Sequence, residues 1–358
     1  MSLLETEIVL YEVLGILGVI INLPILAAIF WSSQLRTQKE FIIIAGLCIS
    51  DAINGFSFFM TGVYRQEVVN QRRGEKENSA GEWYYSCSEN LLESRYYCLT
   101  TFAQSLNIAV DQAFGWMLLA ITLDRLYAVY SPIKYFERTY QYAWTVLGVV
   151  VLISVLTLVL AYIFTYQQIF PEVSILCYTS DSANAVLYKA FEITRISTVT
   201  LSILLYVPIC WKLYIIARQR DLGYYSERRY AMLKNMTITV ALSSASSIIF
   251  VLVPDNLIAF KLFGLDRFGT YLFALISFKS CINVLIYVLR NPMILAELKR
   301  FAFCCFRCRN ANSHVAQVNN MHNSMIPSAR KVSASAFLVR NTAWSKPTST
   351  AALSVLML

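Results

Sequence analysis

The sequence predicts an all-α membrane protein: a seven-transmembrane helix bundle with a short amphipathic cytoplasmic helix after the seventh span. Three observations predict it. Of 358 residues, 57% are hydrophobic and only 15% are charged, too apolar a balance for an ordinary soluble domain. Seven apolar stretches approach or exceed the roughly 20 residues that a helix needs to cross a bilayer. Lysine and arginine gather in alternate connecting segments. Scarce glycine (12 residues) and the lack of an alternating polar pattern argue against a transmembrane barrel.

The first stretch, near 8–31, follows Glu5 and Glu7 in place of a basic region, so it is expected to serve as a signal anchor. The second, third and fourth lie near 41–63, 99–123 and 143–165. The fifth, 190–217, is the least clean, with Glu192 and Arg195 in its outer third. The sixth, 232–254, has the option of running past Pro254 with Asp255 inside it, and the seventh lies near 268–289. Beyond it, Met293, Ile294, Leu298 and Phe301 recur at helical spacing, with Glu297, Lys299 and Arg300 between them. That pattern predicts an amphipathic helix over 291–303, lying along the inner membrane surface. Residues 1–303 then form one membrane domain. Residues 304–358, rich in Asn, Ser, Thr and Ala, are expected to be a disordered cytoplasmic tail.

Charge placement orients the bundle. The segments between spans 1–2, 3–4 and 5–6, together with the tail, hold most of the 30 lysines and arginines, and the amino terminus holds none. The positive-inside rule places the amino terminus outside and the tail inside. The segment 64–97 has five basic residues but six glutamates, and it is read as a long outer loop. The net charge of +8 therefore marks membrane topology rather than nucleic-acid binding.

Three of the nine cysteines, Cys87, Cys98 and Cys177, fall on the outer side. A bridge from Cys98 to Cys177 would pin the loop between spans 4 and 5 over the bundle, with Cys87–Cys177 as the rival pairing. Cys304, Cys305 and Cys308 sit beside basic residues after the amphipathic helix, where palmitoylation is expected. A metal reading of this cluster lacks a nearby fourth ligand. No HExxH, paired-aspartate or serine–histidine set occurs, so neither an enzyme nor a cofactor is expected.

Intramembrane polar residues are expensive and need partners. Lys279, Asn283 and Tyr287 are spaced by four and share one helix face. Lys279 lies 11 residues from Arg290, about 16 Å at helical rise. Asp51 lies equally far from Glu40, so the two share a depth; Asp111, about 5 Å higher, is the rival partner. With Asn22 and Asn283 they make a candidate polar core. Gln104, Asn107 and Asp111 share one face of span 3 and, with Glu192, Arg195, Asp255 and Tyr271, are candidate ligand-pocket residues.

The stretch LDRLYAVYSPIKY, Leu123 to Tyr135, closes the third span. It fits the pattern D-R-[LY]-x-A-V-x-x-P-x-x-Y of rhodopsin-type G-protein-coupled receptors. Asn22, Asp51 within LCISD, and NVLIY (Asn283 to Tyr287) match further marks in order, with Val284 where the family has proline and Leu252 where many members have tryptophan. Over about residues 8–303 the chain most resembles nematode serpentine chemoreceptors of the Srsx kind.

The resemblance implies a plasma-membrane receptor that converts binding of an extracellular small molecule into nucleotide exchange on a heterotrimeric G protein. Short peptides are the alternative ligand, and a seven-span transporter or channel subunit the alternative class. Asp124, Arg125, Pro132, Tyr135, Asn283 and Tyr287 would carry activation and coupling, with arrestin and a receptor kinase acting at the tail. Many family members bind sodium at the residue resembling Asp51; here the Lys279 ammonium would replace it. Opsins carry retinal on a lysine that would align with Ser277, so Lys279 is out of register for that role.

Overall fold

The computed structural model describes residues 3–77, 92–220, 227–261, 264 and 269–301. Among them the chain is almost wholly helical. Helix α1 spans Leu3–Trp31, α2 Ser33–Arg36 and α3 Lys39–Glu77. Helix α4 spans Arg95–Thr100, α5 Phe102–Tyr130, α6 Pro132–Glu137 and α7 Tyr140–Thr165. Helix α8 covers Ala185–Arg220, α9 Glu227–Ser247, α10 Val253–Ala259, α11 Gly269–Arg290 and α12 Pro292–Phe301. Six stretches are long and apolar enough to cross a membrane: α1, α3, α5, α7, α8 and the run from α9 into α10. A seventh is added if the bent pair Ser277–Arg290 and Pro292–Phe301 counts as one span.

The distribution of polarity is that of a membrane bundle. Residues such as Val13, Ile20 and Leu23 on α1, and Val151, Leu152 and Ile163 on α7, stand exposed, while Asn22, Asp51, Lys279 and Asn283 are buried. An all-apolar exterior around a polar interior suits lipid as solvent, because each helix satisfies its own backbone groups. The protein is a multi-pass helical membrane protein.

Helix α5 runs through the middle, packing against α3, α7, α8 and α9. Glycine lets α1 and α3 approach closely. A Cβ on Gly15 of α1 would lie 2.5 Å from the Phe59 backbone nitrogen, and one on Gly55 of α3 would lie 2.8 Å from the Gly15 carbonyl oxygen. Two backbones touch there because neither carries a side chain.

Two elements differ from the sequence expectation, and a third follows an option it left open. Helix α3 does not end near residue 63 but continues to Glu77, into the segment read as loop. Its polar extension is supported by Gln66–Asn70 and Gln71–Glu67 bonds at i,i+4, and by Arg65, which is fully buried. The sixth apolar stretch does pass Pro254, through a π-helical segment at Ile248–Leu252 and on to Ala259. Pro254 has no N–H to give the Phe250 carbonyl and its ring crowds it, so the regular ladder is broken at that turn. A small antiparallel pair, β1 (Leu92–Ser94) with β2 (Pro171–Ser174), was not foreseen.

The chain turns by 98° between α11 and α12. Asn291 precedes Pro292, and a residue before proline is pushed out of the helical region, while proline itself suits the first position of a new helix. Ile294 is buried, and Met293 and Leu298 pack against the same core. Cys87, Cys304, Cys305 and Cys308 lie outside the described residues, as does the rest of the expected tail.

Candidate functional site

Asp124 and Arg125 lie in the last two turns of α5, which leads into the short helix α6, and both are buried. Arg125 Nε donates to Asp124 Oδ2 at 3.0 Å, and Nη2 also binds Asp124. Nη2 donates to Tyr135 Oη at 2.7 Å. That hydroxyl lies 3.2 Å from Glu40 Oε1 and 3.3 Å from Asp124 Oδ2, so its one proton is offered between two carboxylates. Lys39 binds the Tyr135 carbonyl, donates to the Arg138 carbonyl at 3.1 Å, and sits 3.7 Å from the centre of the Tyr135 ring. Four charges from α3 and α5 are thus gathered around one tyrosine, and they cancel.

Tyr135, expected from sequence among the activation and coupling residues, points inward: it is 1% exposed and its hydroxyl meets residues of α3 and α5. Pro132 is half-buried, and the exposed apolar residues of α6 are Ile133 and Phe136. Sequence reasoning also missed Lys39 and Glu40; their place at the start of an apolar stretch was the available signal.

A second cluster lies in the middle of the bundle. Lys279 Nζ is 3.7 Å from Asp51 Oδ1 and 3.6 Å from the centre of the Phe114 ring. Asn283 Nδ2 donates to Asp51 Oδ2 at 3.1 Å. Ser243 Oγ on α9 donates to Asn283 Oδ1 at 2.8 Å and lies 3.1 Å from Tyr287 Oη, with Ser246 Oγ 3.4 Å from the same Asn283 oxygen. Helices α3, α9 and α11 are therefore tied through one stripe of α11. Asn22 makes its side-chain bond within α1, to the Gly18 carbonyl at 2.8 Å, rather than to Asp51. The two α9 serines were not singled out from sequence, although four serines within Ser243 to Ser247 are unusual inside an apolar run.

The third cluster lies nearer the disulfide. Arg195 of α8 bridges two carboxylates, Asp111 of α5 at 2.9 Å and Asp255 of α10 at 2.8 Å. Gly115 permits the approach of α5 to α8, since a Cβ there would lie 2.6 Å from Thr198 Oγ1. Glu192 pairs with Lys189 at 2.7 Å, and Lys189 also donates to the Ala259 carbonyl at 2.8 Å, a second link between α8 and α10. Burying such charges costs several kcal/mol per ion unless the geometry recovers it, and here two carboxylates share one guanidinium.

Two of the remaining pocket candidates, Gln104 and Asn107, bond neighbouring elements. Gln104 Nε2 donates to the Cys177 carbonyl at 2.7 Å and Gln104 accepts from Thr179 Oγ1 at 3.0 Å. Asn107 accepts from Ser57 at 2.5 Å and donates to Thr61 at 3.1 Å. Tyr271 is half-buried at the start of α11. Cys98 and Cys177 form a disulfide, and Tyr64 and Arg65 of α3 hold the same segment by donating to the Ile175 and Leu176 carbonyls at 3.0 and 3.2 Å. The Arg65 guanidinium lies between the Tyr11 and Tyr178 rings, 4.9 and 4.6 Å from their centres. Burial raises the Tyr178 phenol above its ordinary value, while Arg65 pulls it the other way. Among the described residues no three His, Cys, Asp or Glu side chains gather as metal ligands.

No model of a known protein family matches the chain, and no curated protein matches it significantly.

Proposed function

We propose that the protein is a rhodopsin-type G-protein-coupled receptor of seven spans, with α11 as the seventh, its amino terminus outside and α12 along the cytoplasmic face. It converts binding of an extracellular small molecule into guanine-nucleotide exchange. The observation that carries this reading is the state of Arg125. A guanidinium at a helix end, held inside by its neighbouring carboxylate and a tyrosine rather than reaching to solvent, is one state of a two-state element. A pair that merely anchored a helix end would snorkel outward. In this reading, parting of α3, α5 and α9 at that end frees Arg125 to meet an inserting G-protein helix.

Nucleotide exchange on a panel of G proteins, in membranes carrying the chain or its Arg125→Ala variant, tests the reading. Pools of small molecules and short peptides serve as challenges. Exchange that appears with one pool and is lost in Arg125→Ala supports it. Solute uptake or current without exchange would replace it with a transporter or channel reading, and would make Lys279–Asp51 the transport-site candidate.

A further inference from the structure

The Lys279–Asp51 cluster and the Asp111–Arg195–Asp255 cluster make no direct bond to each other. Between them lies a largely enclosed cavity of about 10 Å³, measured to the centre of a water-sized sphere. Its wall carries Asp51 and Lys279 from one cluster, Asp111 and Arg195 from the other, and Ser50 and Asn54 of α3. A space of this size takes about one water, provided that two to four polar groups face it.

Lys279 supplies the first of them. Its Nζ is buried and hydrogen-bonded to no protein atom. At 3.7 Å from Asp51 Oδ1 it is an ion-pair partner but beyond hydrogen-bond reach, and the Phe114 ring covers one of its sides. A polar separation of that length is where a bridging water belongs. Size then selects the occupant. The wall itself holds two carboxylates and two cations, with Asp255 behind Arg195, and a space for one water-sized sphere has no room for an ion with its coordination shell. A neutral molecule that both donates and accepts does fit.

We propose that this cavity is a binding site for a single water molecule, which accepts from Lys279 Nζ and donates to the Asp111 carboxylate. The two clusters then form one network, running from Asp255 on α10 through Arg195, Asp111, the water and Lys279 to Asp51, Asn283 and Ser243 on α9. The inference stands on the cavity and its charges, and does not depend on the receptor reading.

A double-mutant cycle on the purified full chain in lipid nanodiscs tests it. Thermal midpoints are measured for the parent, Lys279→Met, Asp111→Asn and the double variant. The cycle is repeated in Ser50→Val, which fills the cavity, and in Ser50→Ala, which widens it. The Ser50 hydroxyl bonds the Gly46 carbonyl of its own helix at 3.1 Å, so neither change removes a contact between the clusters. The double variant is expected to depart from the sum of the singles by about 2 °C or more in the parent and Ser50→Ala backgrounds, and by clearly less in Ser50→Val, where only the direct charge–charge interaction remains. Additivity in the parent, or non-additivity undiminished in Ser50→Val, overturns the proposal. Should Ser50→Val not fold, a density map fine enough to show waters decides the matter: a peak within hydrogen-bond reach of Lys279 Nζ upholds the site, and no peak there removes it.

Discussion

The cluster around Arg125 and the cluster around Arg195 both bury an arginine between carboxylates, yet they are balanced differently. Around Arg125, Lys39 and Arg125 face Glu40 and Asp124, and the Tyr135 hydroxyl reaches three of the four. Around Arg195, two carboxylates face one guanidinium; each cluster leaves a buried carboxylate oxygen without a protein partner, Asp124 Oδ1 in the first and Asp255 Oδ2 in the second. A neutral, tyrosine-centred group loses less when one bond is removed, because its charges still pair with one another. An excess carboxylate held by one cation has no such slack. The first arrangement suits a latch and the second a staple joining α5, α8 and α10.

The largest test of that contrast is Arg195→Met. It leaves Asp255 buried and Asp111 half-buried without their cation, and should cost about 3–5 kcal/mol of stability, read as a large fall in thermal midpoint or as loss of folded protein. If the fall is no larger than that of an ordinary core substitution, the staple is not bearing on the fold. Tyr135→Phe is expected to cost less, about 1.5–3 kcal/mol for hydrogen bonds to charged groups. In the receptor reading it also raises nucleotide exchange without ligand, because Arg125 and Glu40 lose their common partner. A stability loss with unchanged basal exchange would make Tyr135 structural only.

Gly15→Ala probes a region with no charge at all, as a reference for packing. Its methyl would meet the α3 backbone, and overpacking of this kind costs about 1–3 kcal/mol. The smallest expected effect concerns sodium. Because Lys279 already neutralises Asp51, replacing sodium by a bulky organic cation at constant ionic strength should leave the thermal midpoint and any exchange activity unchanged. A clear sodium dependence in the parent chain would show that the ammonium does not fill that role.

The places where sequence reading missed have physical causes in common. Tyr135 was legible as a residue of a motif, but its inward direction depends on the pitch of α6 against α5, and no periodicity can be read over six residues. Gln104 and Asn107 were legible as polar residues on one face of a helix. Whether such a face lines a pocket or bonds its neighbours depends on what stands opposite, here Cys177, Thr179, Ser57 and Thr61. The continuation of α3 to Glu77 was hidden because hydropathy marks where apolar residues stop, not where helical hydrogen bonding stops.

By itself the sequence determined the apolar stretches, the polar stripe of Lys279, Asn283 and Tyr287, and the common depth of Lys279 and Asp51. All of these follow from spacing along one dimension, at a fixed rise and turn per residue. The tertiary structure alone decided that Arg195 joins Asp111 to Asp255, that Asn22 bonds within its own helix, and that Ser243 meets both Asn283 and Tyr287. Those contacts depend on how each helix is rotated about its axis and which neighbours it meets, and glycines such as Gly15, Gly55 and Gly115 set that rotation by allowing close approach.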